Sequence, residues 1–294
     1  MKVFYDRHYV GAKHAFDTTR KAAHIAEEIA SGRLDGAVLT EPDEGSLNNA
    51  IAGIERVHTA EYVDAIRTGS DSFLASTQGF EWDPGIWSMA VHSTAGVISA
   101  VDAALSEGVA GSLSSGLHHA KPETGAGYCT VNGLVIAAAQ HLTAKSDLSI
   151  VILDVDAHCG GGTAACLQHV GLAGRVQHLD LVTVGFDDYE PVGPDDRRVY
   201  APREDVGYLA AVNDMVDAID WTTTDLVLHN AGMDPYPSVS ISALAERERL
   251  IFGAGAAHST PIAWVLAGGY TLDLAMDELV DLHLETPRAA LTAR

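Results

Sequence analysis

Five short apolar runs rich in β-branched residues occur along the 294-residue chain: GVAGSLSSG near 109, SIVILDVDAH near 149, RVQHLDLV near 175, DLVLHNAG near 225 and PIAWVLAGG near 261. Each breaks off into glycine or polar residues, the signature of buried strands bounded by turns. Ala-rich stretches with helical spacing lie between them, at 131–142, 208–219 and 241–257, and two more helices are expected at 19–31 and 88–106. Alternating strand and helix specify an α/β chain with a mainly parallel sheet. No repeat, low-complexity tract or linker divides it, so 1–294 reads as one domain. In open parallel sheets ligands bind outside the carboxyl ends of the strands. Four separated loops, 116–129, 154–163, 230–236 and 267–271, are therefore expected to build a single site.

Those loops hold chemistry. In DVDAHCGGGT (154–163) an apolar strand ends with Asp154, Asp156 and His158 at two-residue spacing, which places them on one face of an extended chain. Carboxylates grouped at a buried strand end need a counter-charge, because each uncompensated one costs roughly several kcal/mol. A divalent metal supplies it; a solvated strand end is the other reading. NAGMD (230–234) adds Asp234 after a small-residue turn, although an Asp before Pro is also a common turn residue. Asp156, His158 and Asp234 together make a three-ligand set that leaves a coordination position open, as catalytic sites do. Zinc is the expected metal, while iron, cobalt and manganese would accept the same oxygen-rich set. SSGLHHAKPETGAGYC (114–129) sets His118 beside His119 in a glycine-rich loop, where an imidazole could act as general acid or base. LAGGYT (266–271) ends a strand with Tyr270, whose phenol could donate to a developing oxyanion or simply pack.

Composition narrows the function classes. Eighteen basic against 40 acidic residues give a formal charge of -22, which argues against a nucleic-acid surface and suits solubility or a cationic ligand. The N-terminal MKVFYDRHYVGAKH has one apolar triplet followed by charges, and no apolar run approaches the ~20 residues of a membrane span. Three cysteines, Cys129, Cys159 and Cys166, lack CxxC spacing and read as reduced thiols. A cytoplasmic chain without membrane partners is expected, with a weak preference for a monomer.

Taken in order, HHAKPETGAGYCTVNG, DVDAHCGGGT, NAGMD and AGGYT resemble the histone deacetylase superfamily, including its acetylpolyamine amidohydrolase and acetoin-utilisation branches. RVHTAEYVDAIR (56–67) and FDTTRKAAHIAEEI near the N-terminus fit the same pattern, so the resemblance spans essentially the whole chain. It implies a three-layer α/β/α arginase/deacetylase-like fold and a zinc-dependent hydrolase of a linear amide. Its substrate would be an acetyl-lysine, an acetylpolyamine or a small N-acylated metabolite. Carried over by position, Asp156, His158 and Asp234 would hold zinc, His118 and His119 would flank the attacking water, and Tyr270 would polarise the scissile carbonyl. Asp154 would orient His118 and, with Asp180, form a monovalent-cation site for K+. Gly127 and Tyr128 match one wall of the acyl channel, with Phe186 as the opposite wall.

The departures are as informative. Cys159 stands where the family commonly has a second histidine, which makes it a candidate extra ligand, an oxidisable thiol or an inert buried cysteine. Gly161 stands where the family has Asn or Asp to orient the second histidine of the pair, so His119 is expected to be less basic or less well aimed. The segment after Asp234, PYPSVSIS, and the region 182–200 are shorter than usual. Two other readings follow: a metal-binding protein that recognises acyl groups without turnover, and a binuclear arginase-type hydrolase.

Overall fold

The computed structural model describes residues 1–10, 17–272 and 274–293, without the side chains of 17–19. Part of the N-terminal motif, Phe16 included, thus lies outside the described residues. Eight strands, β1 (Lys2–Phe4), β2 (Val38–Thr40), β3 (Val109–Ser115), β4 (Ile150–Asp154), β5 (Val176–Val182), β6 (Arg197–Tyr200), β7 (Leu226–Gly232) and β8 (Ile262–Ala267), form one sheet in the order β2-β1-β3-β8-β7-β4-β5-β6. Every pairing is parallel. The five expected strands are the central ones. β1, β2 and β6 went unread because they are only three or four residues long, and β2 and β6 are half-exposed edges without an apolar run.

Helices cover both faces: α1 (Asp17–Ala30), α2 (Glu44–Val57), α3 (Ala60–Thr68), α4 (Gly85–Glu107), α5 (Gly133–Ala144), α6 (Gly161–His169), α7 (Asp205–Asp217), α8 (Ile241–His258), α9 (Met276–His283) and α10 (Glu285–Thr292). Strand alternation divides the core in two. Val151, Leu153, Val227, Ile262, Trp264 and Leu266 pack on one face, while Ile150, Ile152, Leu226, Leu228, Ala263 and Val265 pack on the other. This is the three-layer α/β/α arginase/deacetylase-like arrangement. Capping sets where several helices begin. Asn132, Glu204 and Ser240 accept from backbone N–H groups of the first turns of α5, α7 and α8, which starts α7 three residues before the expected 208. The apolar-run expectation needs one correction: α4, with 23 residues, is long and apolar enough to span a membrane by length and composition. It is nevertheless a core helix, with 78% of its apolar window buried inside the protein.

A fully buried ion cluster braces the sheet below the site. Arg247 on α8 donates through Nη1 to the carbonyls of Gly232 (2.7 Å) and Val155 (3.3 Å) and to the Tyr208 hydroxyl (3.0 Å). Its Nη2 lies 2.7 Å from Glu248 Oε1, and Glu248 Oε2 lies 3.0 Å from His229 Nε2. Those two carbonyls belong to the chain at the ends of β4 and β7, so one guanidinium ties together the segments that carry Asp156 and Asp234. His229 and Arg247 overcome burial and hold the Glu248 carboxyl at about 2. Removing one partner of such a cluster strands the other in a medium without water. Arg247→Leu is expected to cost about 3–5 kcal/mol in urea denaturation. Because the Glu248 pKa is depressed on folding, its contribution is present at neutral pH and lost as pH falls toward 2. The loss of stability with acidification should be smaller in Glu248→Gln, and an identical pH dependence would contradict this assignment.

Candidate metal centre and active site

The order β3-β8-β7-β4 sets the four motif-bearing strands side by side, although their sequence order is different. Register completes the alignment: Asp154 lies beside Asn230 on one side and Asp180 on the other, and Gly232 lies beside Ala267. Beyond the strand ends the loops are stitched by backbone bonds, from Met233 N to Ala267 O (3.1 Å), from Val155 N to Asn230 O (3.2 Å) and from Thr163 N to His118 O (2.9 Å).

Asp156, His158 and Asp234 meet as expected. His158 Nδ1 is 3.0 Å from Asp234 Oδ2 and 3.2 Å from Asp156 Oδ1, and one donor atom of each residue lies within 4.8 Å of the others. Asp234 Oδ1 is fixed by the Ala157 N–H at 2.9 Å, whereas Oδ2, buried, receives no well-aligned hydrogen bond. Burial and then the neighbouring Asp156 charge raise the Asp234 pKa. Burial opposes protonation of His158, but the two carboxylates prevail and lift it to about 10. A proton on His158 thus supplies the positive charge that a divalent cation would supply. An orphaned carboxylate oxygen, a second carboxylate and an imidazole nitrogen converging on one point fit such an ion. Gly268, at φ 47°, makes the approach possible: a Cβ there would lie 2.4 Å from Asp234 Cγ and 2.8 Å from Asp156 Oδ2.

The histidine pair sits beside this cluster. His118 Nδ1 donates to Asp154 Oδ2 at 2.7 Å, and Asp154 Oδ1 accepts from Asn230 Nδ2 (2.8 Å) and Asp156 N (3.1 Å). His118 Nε2 is 3.6 Å from Asp156 Oδ1. Burial disfavours the His118 cation, yet Asp154 and Asp156 raise its pKa to about 10. The His119 ring, 4.0 Å away centroid to centroid, is shifted down by burial and by the His118 charge. Gly161 does not leave His119 without a partner, and the lowered pKa, in the direction of a less basic ring, comes from burial and His118 instead. His119 Nδ1 donates to Asp187 Oδ2 at 3.2 Å, a carboxylate from the loop after β5.

The remaining expected residues fall around the same pocket, a narrow cavity of ≈ 40 Å³ lined by His118, His119, Gly127, Tyr128, Asp156 and Tyr270 among others. Tyr128 and Phe186 are both about half exposed, and the Phe186 ring packs edge-on against His119 (4.9 Å) and His158 (5.9 Å). Asp180 lies beside Asp154, with Oδ2 accepting from Gly160 N at 2.8 Å and Oδ1 without a donor; burial and the Asp154 charge raise its pKa well above the usual carboxylate range. Cys159 turns away from the cluster toward Asp188 (3.5 Å) and Tyr200 (3.6 Å), and burial pushes its thiol up to about 11. Sequence reasoning missed Asp187, Asn230, Phe80 and Lys21. Phe80 packs against Tyr128 at 5.3 Å, and Lys21, a buried lysine, donates to the Gly268 carbonyl. Burial lowers the Lys21 pKa to about 7 against the pull of Asp234 and Asp156. A lysine in an amphipathic helix carries no sign that it points inward.

A parallel sheet whose central strands end in carboxylates and imidazoles around one cavity is the architecture of a deacetylase-type hydrolase. Comparison with known proteins agrees. Residues 14–185, more than half of the chain, match the model of the histone deacetylase domain. An uncharacterized protein of Picosynechococcus sp. is 30% identical over 260 residues, 81% of each chain. A probable deacetylase of Archaeoglobus fulgidus is 33% identical over 129 residues, 43% of this chain and 34% of that one. The acetoin utilization protein AcuC of Staphylococcus aureus is 30% identical over 118 residues, 36% of this chain and 30% of its own. The chain belongs to the histone deacetylase family, whose members generally use a metal ion. Elemental analysis of the purified protein is expected to return one divalent ion per chain, reduced to background in Asp156→Ala and in Asp234→Ala. Two ions per chain would favour a binuclear, arginase-type centre instead.

Proposed function

We propose that the chain is a zinc-dependent deacetylase that cleaves the linear amide of an N-acyl amine. The observation that carries this reading is the 3.6 Å separation between His118 Nε2 and Asp156 Oδ1, which puts a carboxylate-anchored imidazole against the candidate metal ligands. Asp156, His158 and Asp234 would hold the metal, which when bound acts as a Lewis acid on the amide carbonyl and lowers the pKa of water. With Nδ1 of both histidines tied to carboxylates, their Nε2 atoms are left to exchange protons with water and with the departing amine. His119, shifted down, is suited to accept a proton near neutrality, and His118, shifted up, to keep one. Tyr270 would donate to the carbonyl oxygen as negative charge develops there. Asp154 and Asp180 would share a monovalent cation, which would relieve the donorless Asp180 Oδ1.

The narrow cavity lined by Phe80, Tyr128 and Tyr270 suits an extended acyl-amine such as acyl-lysine or an acetylpolyamine, and the charge of -22 suits a substrate with further cationic amines. A free-thiol protein of the cytoplasm, in one catalytic domain over 1–294 and without nucleic-acid or membrane partners, accords with the three unpaired cysteines. The reading as an acyl-binding protein without turnover was motivated by Gly161 and Cys159, and Asp187 removes the first of these supports. With zinc present, acetate should be released from at least one member of a panel of N-acetylated lysine, polyamine and amino-sugar substrates. Tyr270→Phe and His118→Ala should each lower kcat about 10²–10³-fold. Rates indistinguishable between wild type and both variants would remove this mechanism.

A further inference from the structure

We propose that Asp187 is the positioning carboxylate of His119, delivered from the loop after β5 into a space that exists only because residue 161 is glycine. The proposal rests on the deacetylase reading for its catalytic meaning and on geometry for everything else. Asp187 Oδ2 accepts from His119 Nδ1 (3.2 Å) and from Gly162 N (3.1 Å), and Oδ1 pairs with Lys121 Nζ at 2.7 Å. The carboxylate is therefore held at both oxygens, with its plane fixed. Its side chain is 5% exposed, whereas the neighbouring Asp188 side chain is 58% exposed, so the chain turns a single acid inward.

That turn has a backbone signature. Asp187 has φ 60°, a left-handed conformation that Asp tolerates better than most residues but that still needs something to hold it. The Phe186 carbonyl, accepting from Cys159 N at 3.1 Å, pins the segment against the turn that precedes α6. Gly161 opens the α6 helix directly beneath. A Cβ at 161 would lie 2.2 Å from Asp187 O, 2.7 Å from its Cγ and 2.8 Å from its Oδ1. An Asp or Asn at 161 and the observed Asp187 therefore exclude each other. The departure at Gly161 is half of an exchange: the acid has left the helix start and has come back from another loop. The Asp187 pKa agrees, since burial would raise it but His119 and Lys121 bring it below the usual carboxylate value.

A carboxylate that orients a histidine acts through its acceptor oxygen, whereas one that merely closes a loop acts through its fit. Three variants of the zinc-loaded protein separate these roles: Asp187→Ala, Asp187→Asn and Gly161→Asp. We expect Asp187→Ala to lower kcat about 10- to 100-fold, with KM for an N-acetylated amine changed less than about threefold. Asp187→Asn, whose amide oxygen can still accept from His119 Nδ1 and Gly162 N, should be at least about threefold more active than Asp187→Ala. Gly161→Asp should lower both kcat and Tm, because its Cβ would meet the Asp187 carbonyl as well as the carboxylate. A second readout does not depend on turnover: in 15N-histidine NMR, the hydrogen-bonded Nδ1 proton of His119 should be present in wild type and in Asp187→Asn and absent in Asp187→Ala. Full activity and an unchanged ring signal in Asp187→Ala would overturn the proposal, as would a folded Asp187→Asn no more active than Asp187→Ala and without the ring signal. Should Asp187→Ala fail to fold, Asp187→Asn decides by the ring signal, whose loss would overturn the proposal. A wild type that hydrolyses nothing, with a ring signal that still follows the carboxylate, would defeat the deacetylase reading and leave the role of Asp187 intact.

Discussion

Four carboxylates, Asp154, Asp156, Asp180 and Asp234, are buried within one end of the sheet, and the local structure there answers to the need to neutralise them. Each is balanced differently. Asp154 is matched by His118 and Asn230, and Asp156 by His118 and His158. Asp180 accepts from the Gly160 N–H, and burial and the Asp154 charge raise its pKa well above the ordinary range. Asp234 is left with an orphaned oxygen that points toward His158. Like charges this close cannot all ionise without a cation among them. Among these acids Asp156 and Asp234 converge with His158 Nδ1 on one point, and this separates a candidate metal centre from a group of merely paired acids.

Holding those acids at fixed distances is the task of the layers beneath. The parallel strands place Asp154 and Asn230 at equal height, and their continuations carry Asp156 and Asp234 toward each other past glycines too small to intervene. Arg247 then grips the carbonyls of Val155 and Gly232 from below, one residue before Asp156 and two before Asp234. A fully buried ion cluster is a poor source of net stability. Its value here lies in specificity of position, because an apolar replacement could fill the volume but could not fix two backbone carbonyls relative to each other.

Legibility in the sequence followed burial and locality. The five central strands announce themselves because both of their faces are covered, which forces continuous apolar runs; β2 and β6, exposed along one edge, carry no such pattern. Asp156 and His158 are readable from two-residue spacing alone, since the periodicity of an extended chain puts them on one face. Asp234 is not, because its membership depends on β7 lying next to β4, a fact of topology. Asp187 is less readable still. In FDDYE nothing in composition separates Asp187 from Asp188; what separates them is a left-handed φ and a missing Cβ 26 residues earlier in the chain.

The exchange between Gly161 and Asp187 changes more than the origin of one carboxylate. Phe186 packs against both His119 and His158, and the next residue holds the His119 ring through its Nδ1. One segment thus packs against both rings and orients one of them. An acid at the start of α6 would leave those two tasks to independent elements, and the loop after β5 could then vary in length without disturbing the histidine. Here it cannot, since any shift of Phe186 would also drag Asp187 away from His119 and from Gly162.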